Sequence, residues 1–265
     1  MKINFRNKTV LVTASTKGIG FAVAQEFLDN NAKVVICSRN NLNIRNAKKI
    51  LLKKYDKKNF LAIKCDLENH KEIIQMHKQV LNKFSKSIDI LINNSGGPKV
   101  KKIIDTNYKD WNTAIKNNLL SSIFMTKILL PKMIKKKWGR IINLTSSTAK
   151  EPARSMSLSN VTRAGVVAFG KTLSKELTGT GITVNNILTG GIMTDRLKNL
   201  LKIRSKDSNV TTASLLEKIR NEVPSGYIST PEEFAKIIVF LCSTEANYIN
   251  GVALNIDGGT GVSST

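Results

Sequence analysis

Thr9-Val10-Leu11-Val12-Thr13-Ala14-Ser15-Thr16-Lys17-Gly18-Ile19-Gly20 is the stretch from which the rest of this chain can be read. Thr9–Thr13 is a short apolar run of strand type. It ends in small residues, and a helical pattern follows over Gly18–Asn30. A strand, a tight turn and a helix N-terminus together form an anion site. Free backbone N–H groups and the positive end of the helix dipole face the ligand there, and Gly18 and Gly20 permit the close approach that a pyrophosphate requires.

The same alternation continues outward. Lys33–Ser38, Phe60–Lys64, Ile88–Asn93, Arg140–Thr145, Thr183–Leu188 and Val252–Ile256 are further Val/Ile/Leu-rich runs. Near-continuous apolar strands suit a parallel sheet covered on both faces. Helical patterns occupy the intervals Leu42–Tyr55, Lys71–Phe84, Tyr108–Lys137, Ser157–Leu177 and Glu232–Cys242. The expected fold is therefore α/β, a doubly wound seven-stranded parallel sheet in one domain over residues 1–265. The polar, lysine-rich stretch 194–227 has two weak helical patterns separated by Lys206-Asp207-Ser208-Asn209. It follows the sixth strand, at the edge where open α/β sheets bind ligands, and is expected to be a substrate lid.

Composition narrows the function. Lys and Arg number 42 against 19 Asp and Glu, a net charge of +23. Lysines outnumber arginines 33 to 9 and are spread over most helices. That distribution belongs to solvated faces that attract acidic substrates, and no nucleic-acid role is expected from it. Lys135-Lys136-Lys137, the densest run, ends a helical pattern, where cations suit the dipole. No apolar run approaches the roughly 20 residues of a membrane helix. The start, Met1-Lys2-Ile3-Asn4-Phe5-Arg6, has no apolar signal segment, so a cytoplasmic location is expected. Cys37, Cys65 and Cys242 are far apart and read as buried small hydrophobes. His70 and His77 share one surface helix, and no metal site is indicated.

With these residues in place, the chain resembles the short-chain dehydrogenase/reductase family, whose sheet is of the Rossmann type. The family's Thr-Gly-x-x-x-Gly-x-Gly corresponds to Thr13 through Gly20, with Ala14 at the first glycine. Asn93-Asn94-Ser95-Gly96 matches Asn-Asn-Ala-Gly, and Asn118 matches the active-site asparagine. Thr189-Gly190 stands at Pro-Gly, and Gly251 through Gly259 matches the closing strand and its Asp-Gly-Gly turn. The resemblance implies a nicotinamide cofactor held by Thr13, Ser15, Lys17, Gly18, Ile19 and Gly20. Asp66 and Leu67 lie toward the adenine, and Asn94, Ser95, Gly96, Arg163 (at the ribose hydroxyls), Gly190, Ile192 and Thr194 lie along the rest. At the end of the second strand, where an acid would accept from a ribose 2′-OH, stand Ser38 and Arg39. With Lys17, Arg39 favours NADP(H) over NAD(H).

The resemblance also implies a catalytic group. Ser146 takes the place of the serine that holds the substrate oxygen. Thirteen residues on, Ser159 stands where the family has tyrosine, and four further on Arg163 stands in place of lysine. Positions i and i+4 share a helix face, so both should point into one cleft. An aliphatic hydroxyl is a weak acid without a neighbouring base, and guanidinium is a poor proton relay. A partly buried Lys150 is a candidate proton carrier, as is Tyr227, and Arg154 could hold an anionic substrate group. The implied activity is hydride transfer to or from a small or acyl-carrier-bound carbonyl compound, similar to 3-oxoacyl carrier-protein reductases. The alternative is a non-catalytic nucleotide-binding or redox-sensing protein. A homodimer or homotetramer is implied, built on the helices Tyr108–Lys137 and Ser157–Leu177 and the last strand.

Overall fold

The structure is a computed structural model that describes residues 3–263; the opening Met1-Lys2 lies outside them. Seven parallel strands form one sheet: β1 (Thr9–Val12), β2 (Lys33–Ser38), β3 (Phe60–Lys64), β4 (Ile90–Asn93), β5 (Gly139–Leu144), β6 (Ile182–Thr189) and β7 (Ala253–Ile256). Their order is β3-β2-β1-β4-β5-β6-β7. The order reverses between β1 and β4, which opens a crevice at the carboxyl ends of these strands.

Side chains alternate across the sheet. Val10, Val12, Val34, Ile36, Ile90 and Ile92 enter one core with Phe27 and Phe234. Leu11, Val35, Cys37 and Leu91 enter the opposite core with Ile73, Met76 and Met125. Helices cover both faces: α1 (Gly18–Asp29), α2 (Asn41–Leu52) and α9 (Pro231–Leu241) with the first core, and α3 (His70–Phe84), α5 (Ser121–Lys136) and α6 (Ser157–Glu176) with the second. Asparagines cross the sheet where leucine would be usual. Asn93 Nδ2 donates to Asn143 Oδ1 at 2.9 Å and to Thr126 Oγ1 at 3.1 Å, and Asn143 Nδ2 donates to Asn186 Oδ1 at 2.9 Å.

Two helical expectations gain detail. The helix expected over Tyr108–Lys137 is continuous but irregular: α4 (Tyr108–Ala114) passes through a π-helical turn (Ile115–Leu120) into α5. Asn118 lies in that turn, and its Nδ2 donates back to Ala114 O at 3.3 Å, competing with the main-chain ladder. In the second case, α7 (Asp195–Ser208) runs through Lys206–Ser208, the stretch expected to separate two helices. The reversal comes at Asn209, in the left-handed region at φ 53°, before α8 (Thr212–Glu222). No helix among the described residues is long and apolar enough to cross a membrane.

Candidate active site

The carboxyl ends of β1, β2, β3 and β4 frame a cleft of about 390 Å³. One end is lined by Ser38, Arg39, Asp66 and Leu67, and the other by Ser95, Gly96, Asn118 and Leu158.

The glycine turn is held from behind. Thr13 Oγ1 donates to Asn94 O at 2.6 Å and accepts from Asn94 N at 2.8 Å. Asn94 Nδ2 donates to Thr13 O and Ala14 O, both at 3.0 Å. Gly20 is required by that strap, because a Cβ there would lie 2.6 Å from Asn94 Nδ2 and 3.0 Å from Ser15 Cα. Lys17, the residue before α1, makes no side-chain cap, and the first turn carries no acid. The first N–H groups of α1, at Gly18, Ile19 and Gly20, therefore have no side-chain cap, as an anion site requires; Ala14 and Thr16 of the same turn line the cleft. Thr194 approaches from the far side: its Cγ2 lies 3.5 Å from a Cβ built on Gly18.

Two expected cofactor contacts need correction. Ser15 is fully buried; its hydroxyl donates to Val12 O at 2.6 Å and its N–H to Cys37 O at 3.0 Å. It shapes the turn and offers no atom to a ligand. Ile192 is 5% exposed and its side chain packs in the first core, so only its backbone could serve a ligand. Gly190 has its N–H tied to Ile256 O at 3.0 Å. Arg39 sits on the rim and pairs with Glu68 at 3.5 Å. Glu68 also accepts from Asn117 Nδ2 in a short contact. Nothing in the spacing of Glu68 marked it as a neighbour of Arg39; the β3-to-α3 loop brings it there.

At the other end, Ser146 follows β5 with a half-buried side chain. Its Oγ accepts from Thr148 N at 3.3 Å and from Thr148 Oγ1 at 3.2 Å, which leaves its own proton to donate. Thr148 had no sequence signal beyond its distance of two residues. Asn118 is 1% exposed and its Oδ1 accepts from Ser95 Oγ at 3.0 Å.

Ser159 and Arg163 do share one face of α6, at 6% and 7% exposure. Among the described residues, no acid or base is hydrogen-bonded to the Ser159 hydroxyl. Arg163 donates through Nη1 to Leu144 O at 2.7 Å and through Nη2 to Ser95 O at 3.4 Å. Burial, and then the charge of Arg196, bring its guanidinium down to about 10. Lys150 departs from expectation: it is exposed, because the short helical turn Ser147–Ala149 directs it outward, so it lacks the partial burial a proton carrier was expected to have. Arg154 and Tyr227 are exposed as well. Burial pushes the Cys37 thiol up to about 11 and raises Cys65 and Cys242. Nucleophilic or redox-active thiols would require the opposite shift.

Sheet order, glycine turn and cleft define a doubly wound α/β fold of the dinucleotide-binding type. A family profile described as enoyl-(acyl carrier protein) reductase matches residues 13–261. The chain is 33% identical over 253 residues to a 3-oxoacyl-(acyl-carrier-protein) reductase FabG of Buchnera aphidicola, covering 95% of this chain and 96% of the relative. It is 30% identical over 259 residues to the enzyme of that name from Aquifex aeolicus, covering 98% and 99%. Among solved structures, L-sorbose reductase from Gluconobacter frateurii, complexed with NADPH and L-sorbose, superposes with a TM-score of 0.91 at 29% identity over 98% of both chains. The chain belongs to the short-chain dehydrogenase/reductase family and is an oxidoreductase of that type.

Proposed function

We propose that this chain is an NADP(H)-dependent oxidoreductase that interconverts a carbonyl and an alcohol on a small or acyl-carrier-bound substrate. One observation carries the reading: an uncapped glycine turn opens on a cleft whose far rim is Ser38 and Arg39, with no acid at the end of β2. Similarity to reductases solved with NADPH supports it.

When bound, the cofactor supplies or accepts a hydride. The residues of the chain do the rest. Gly18, Ile19 and Gly20 would hold the pyrophosphate on their N–H groups, with Thr13 and Ser15 fixing the turn from behind. Lys17, Ser38 and Arg39 would take the 2′-phosphate, and Asp66 and Leu67 the adenine. Asn94, Ser95, Gly96 and the backbone of Gly190–Thr194 would line the nicotinamide half. Ser146 donates a hydrogen bond to the substrate oxygen, with Thr148 hydrogen-bonded behind it. Ser159 and Arg163 stand where the family has tyrosine and lysine. Neither moves the proton, which comes from water at the substrate oxygen. Residues 194–227 act as a lid, and α5 and α6 pair in a homo-oligomer in the cytoplasm.

A second reading, a nucleotide-binding protein without chemistry, is favoured by one fact: Ser159 and Arg163 stand where the family has its tyrosine and lysine. Purified protein titrated with NADPH and NADH, then assayed with ketones and 3-oxoacyl thioesters, separates the two. The proposal expects NADPH to bind at least about tenfold more tightly than NADH, an advantage lost in Arg39→Ala, and oxidation with some carbonyl substrate. Tight NADPH binding without oxidation on any substrate would select the second reading, and binding of neither cofactor would sink both.

A further inference from the structure

Asp257, just after β7, organises the last described turn of the chain. Its carboxylate accepts from Gly259 N at 3.0 Å, Gly261 N at 3.1 Å and Asn255 Nδ2 at 3.3 Å, and its main-chain oxygen accepts from Thr260 Oγ1 at 2.7 Å. Gly258 and Gly259 take φ of +70° and +88° there, a region that disfavours a Cβ. The turn brings Val262 and Ser263 to Glu151, whose Oε1 accepts from both N–H groups, at 2.8 and 2.7 Å.

Glu151 belongs to the turn that presents Ser146. Ala149 N donates to Ser146 O, and Lys150 N and Glu151 N donate to Ser147 O, all at 3.0 Å. The tail also touches the residues that follow α8. Ser225 N donates to Gly258 O at 3.0 Å, and a Cβ on Gly258 would lie 2.6 Å from Ser225 Oγ and from Val223 Cγ1. Beneath it, Gly190 after β6 meets the start of the tail, since a Cβ on Gly190 would lie 2.5 Å from Asp257 Cβ. Residues 257–263 thus bridge the segments after β5, after β6 and after α8.

A carboxylate that accepts two main-chain N–H groups makes charge-assisted bonds, stronger than neutral ones. Glu151 is half-buried, and among the described residues no cation pairs with it, so its charge is committed to the tail.

We infer that Glu151 is a positioning residue: its grip on the tail 257–263 fixes the turn that aims Ser146 at the substrate oxygen and ties that turn to the end of the lid. The inference rests on the proposed oxidoreductase reading and adds to it what holds Ser146 in place. Glu151 acts through Ser146 and does not itself meet the reacting atoms. A misplacement of about 1 Å can cost about 100-fold in rate, so the clasp bears on the chemical step. The glycine turn and Arg39 stand on β1, α1 and β2, apart from the clasp, so cofactor affinity does not depend on it.

Amide hydrogen exchange read by NMR and steady-state NADPH oxidation, on wild type, Glu151→Ala and Glu151→Gln, test this. In Glu151→Ala the N–H groups of Ala149, Lys150 and Ser225 should exchange at least about tenfold faster, and those of β1 should not change. On a substrate found by screening, kcat should fall by about 10- to 100-fold while KM and NADPH affinity stay within about threefold. Glu151→Gln keeps an acceptor oxygen and should recover most of both losses. Unchanged exchange at Ala149, Lys150 and Ser225 in Glu151→Ala overturns the inference, as does equally faster exchange in β1, which would mean a general loosening. Faster exchange with an unchanged kcat overturns the positioning role, as does a kcat loss that Glu151→Gln shares in full. Absence of turnover in the wild type on every substrate sinks the oxidoreductase reading and the positioning role with it, while faster exchange confined to the three amides would leave the clasp between tail, turn and lid standing.

Discussion

Arg39 reaches Glu68 across the rim of the cleft at 3.5 Å, and the arginine is 67% exposed. An ion pair this open is worth little, on the order of 0–1 kcal/mol, so a phosphate can displace the carboxylate. The carboxylate nevertheless repels the incoming phosphate. Glu68→Gln should tighten NADP⁺ binding by roughly two- to tenfold and leave NAD⁺ binding almost unchanged, as read by fluorescence titration. Unchanged NADP⁺ affinity would show that Arg39 does not meet the phosphate. Ala14 is a second informative residue. It occupies φ +45°, a region that costs a Cβ-bearing residue about 1–2 kcal/mol. Glycine relieves that strain but loses more backbone entropy on folding. Ala14→Gly should therefore stabilise by about 0.5–1 kcal/mol and raise the Tm by a few degrees; a lower Tm would mean that the turn is not strained there. At this scale the sequence was readable where a motif fixed a residue type whose packing the structure shows, as at Gly20 and Asn94. Glu68, Thr148 and Glu151 were not readable, because each acts through a contact made by loop or helix placement.

Among the elements, the strands were the most legible, since uninterrupted apolar runs leave a buried parallel strand as the natural reading. The helix boundaries were less so. The π-helical turn at Ile115–Leu120 has no apolar signature, because its cause is the Asn118 amide bonding back to Ala114 O. Nor could the sequence reveal that Asn93, Asn143 and Asn186 link β4, β5 and β6 side by side, because register decides it. Asn143 is the middle member and fully buried. Asn143→Leu removes two hydrogen bonds and leaves two buried amides short of a partner. About 2–5 kcal/mol of destabilisation is expected in chemical denaturation, and a loss below about 0.5 kcal/mol would mean that the chain of amides carries no weight in holding the sheet together.

For the whole molecule, charge is the dominant property. With 42 cations against 19 anions, each buried carboxylate is heavily contested. Asp110, 7% exposed at the start of α4, accepts from Lys101 at 2.7 Å and Lys99 at 3.1 Å and ties α4 to the cleft loop. These lysines hold its pKa at about 2, against an ordinary 3.8. The ionised form therefore favours the folded state. Its contribution is complete above about pH 5 and is lost as pH falls toward about 2. The Tm difference between wild type and Asp110→Asn should be constant from pH 5 to 7 and shrink below about pH 4; a difference independent of pH would exclude a role for the ionised pair. The doubly wound sheet itself was legible from end to end, whereas the chemistry it supports was legible only up to the missing tyrosine.

The central claim is that hydride transfer proceeds without that tyrosine, with Ser146 holding the substrate oxygen. The most direct test is NADPH oxidation in a single turnover on a substrate found by screening, compared among wild type, Ser146→Ala and Ser159→Ala. Ser146→Ala should slow the step by about 100- to 1,000-fold with NADPH affinity unchanged, and Ser159→Ala should stay within about threefold of wild type. A large loss in Ser159→Ala with Ser146→Ala unaffected would contradict the account.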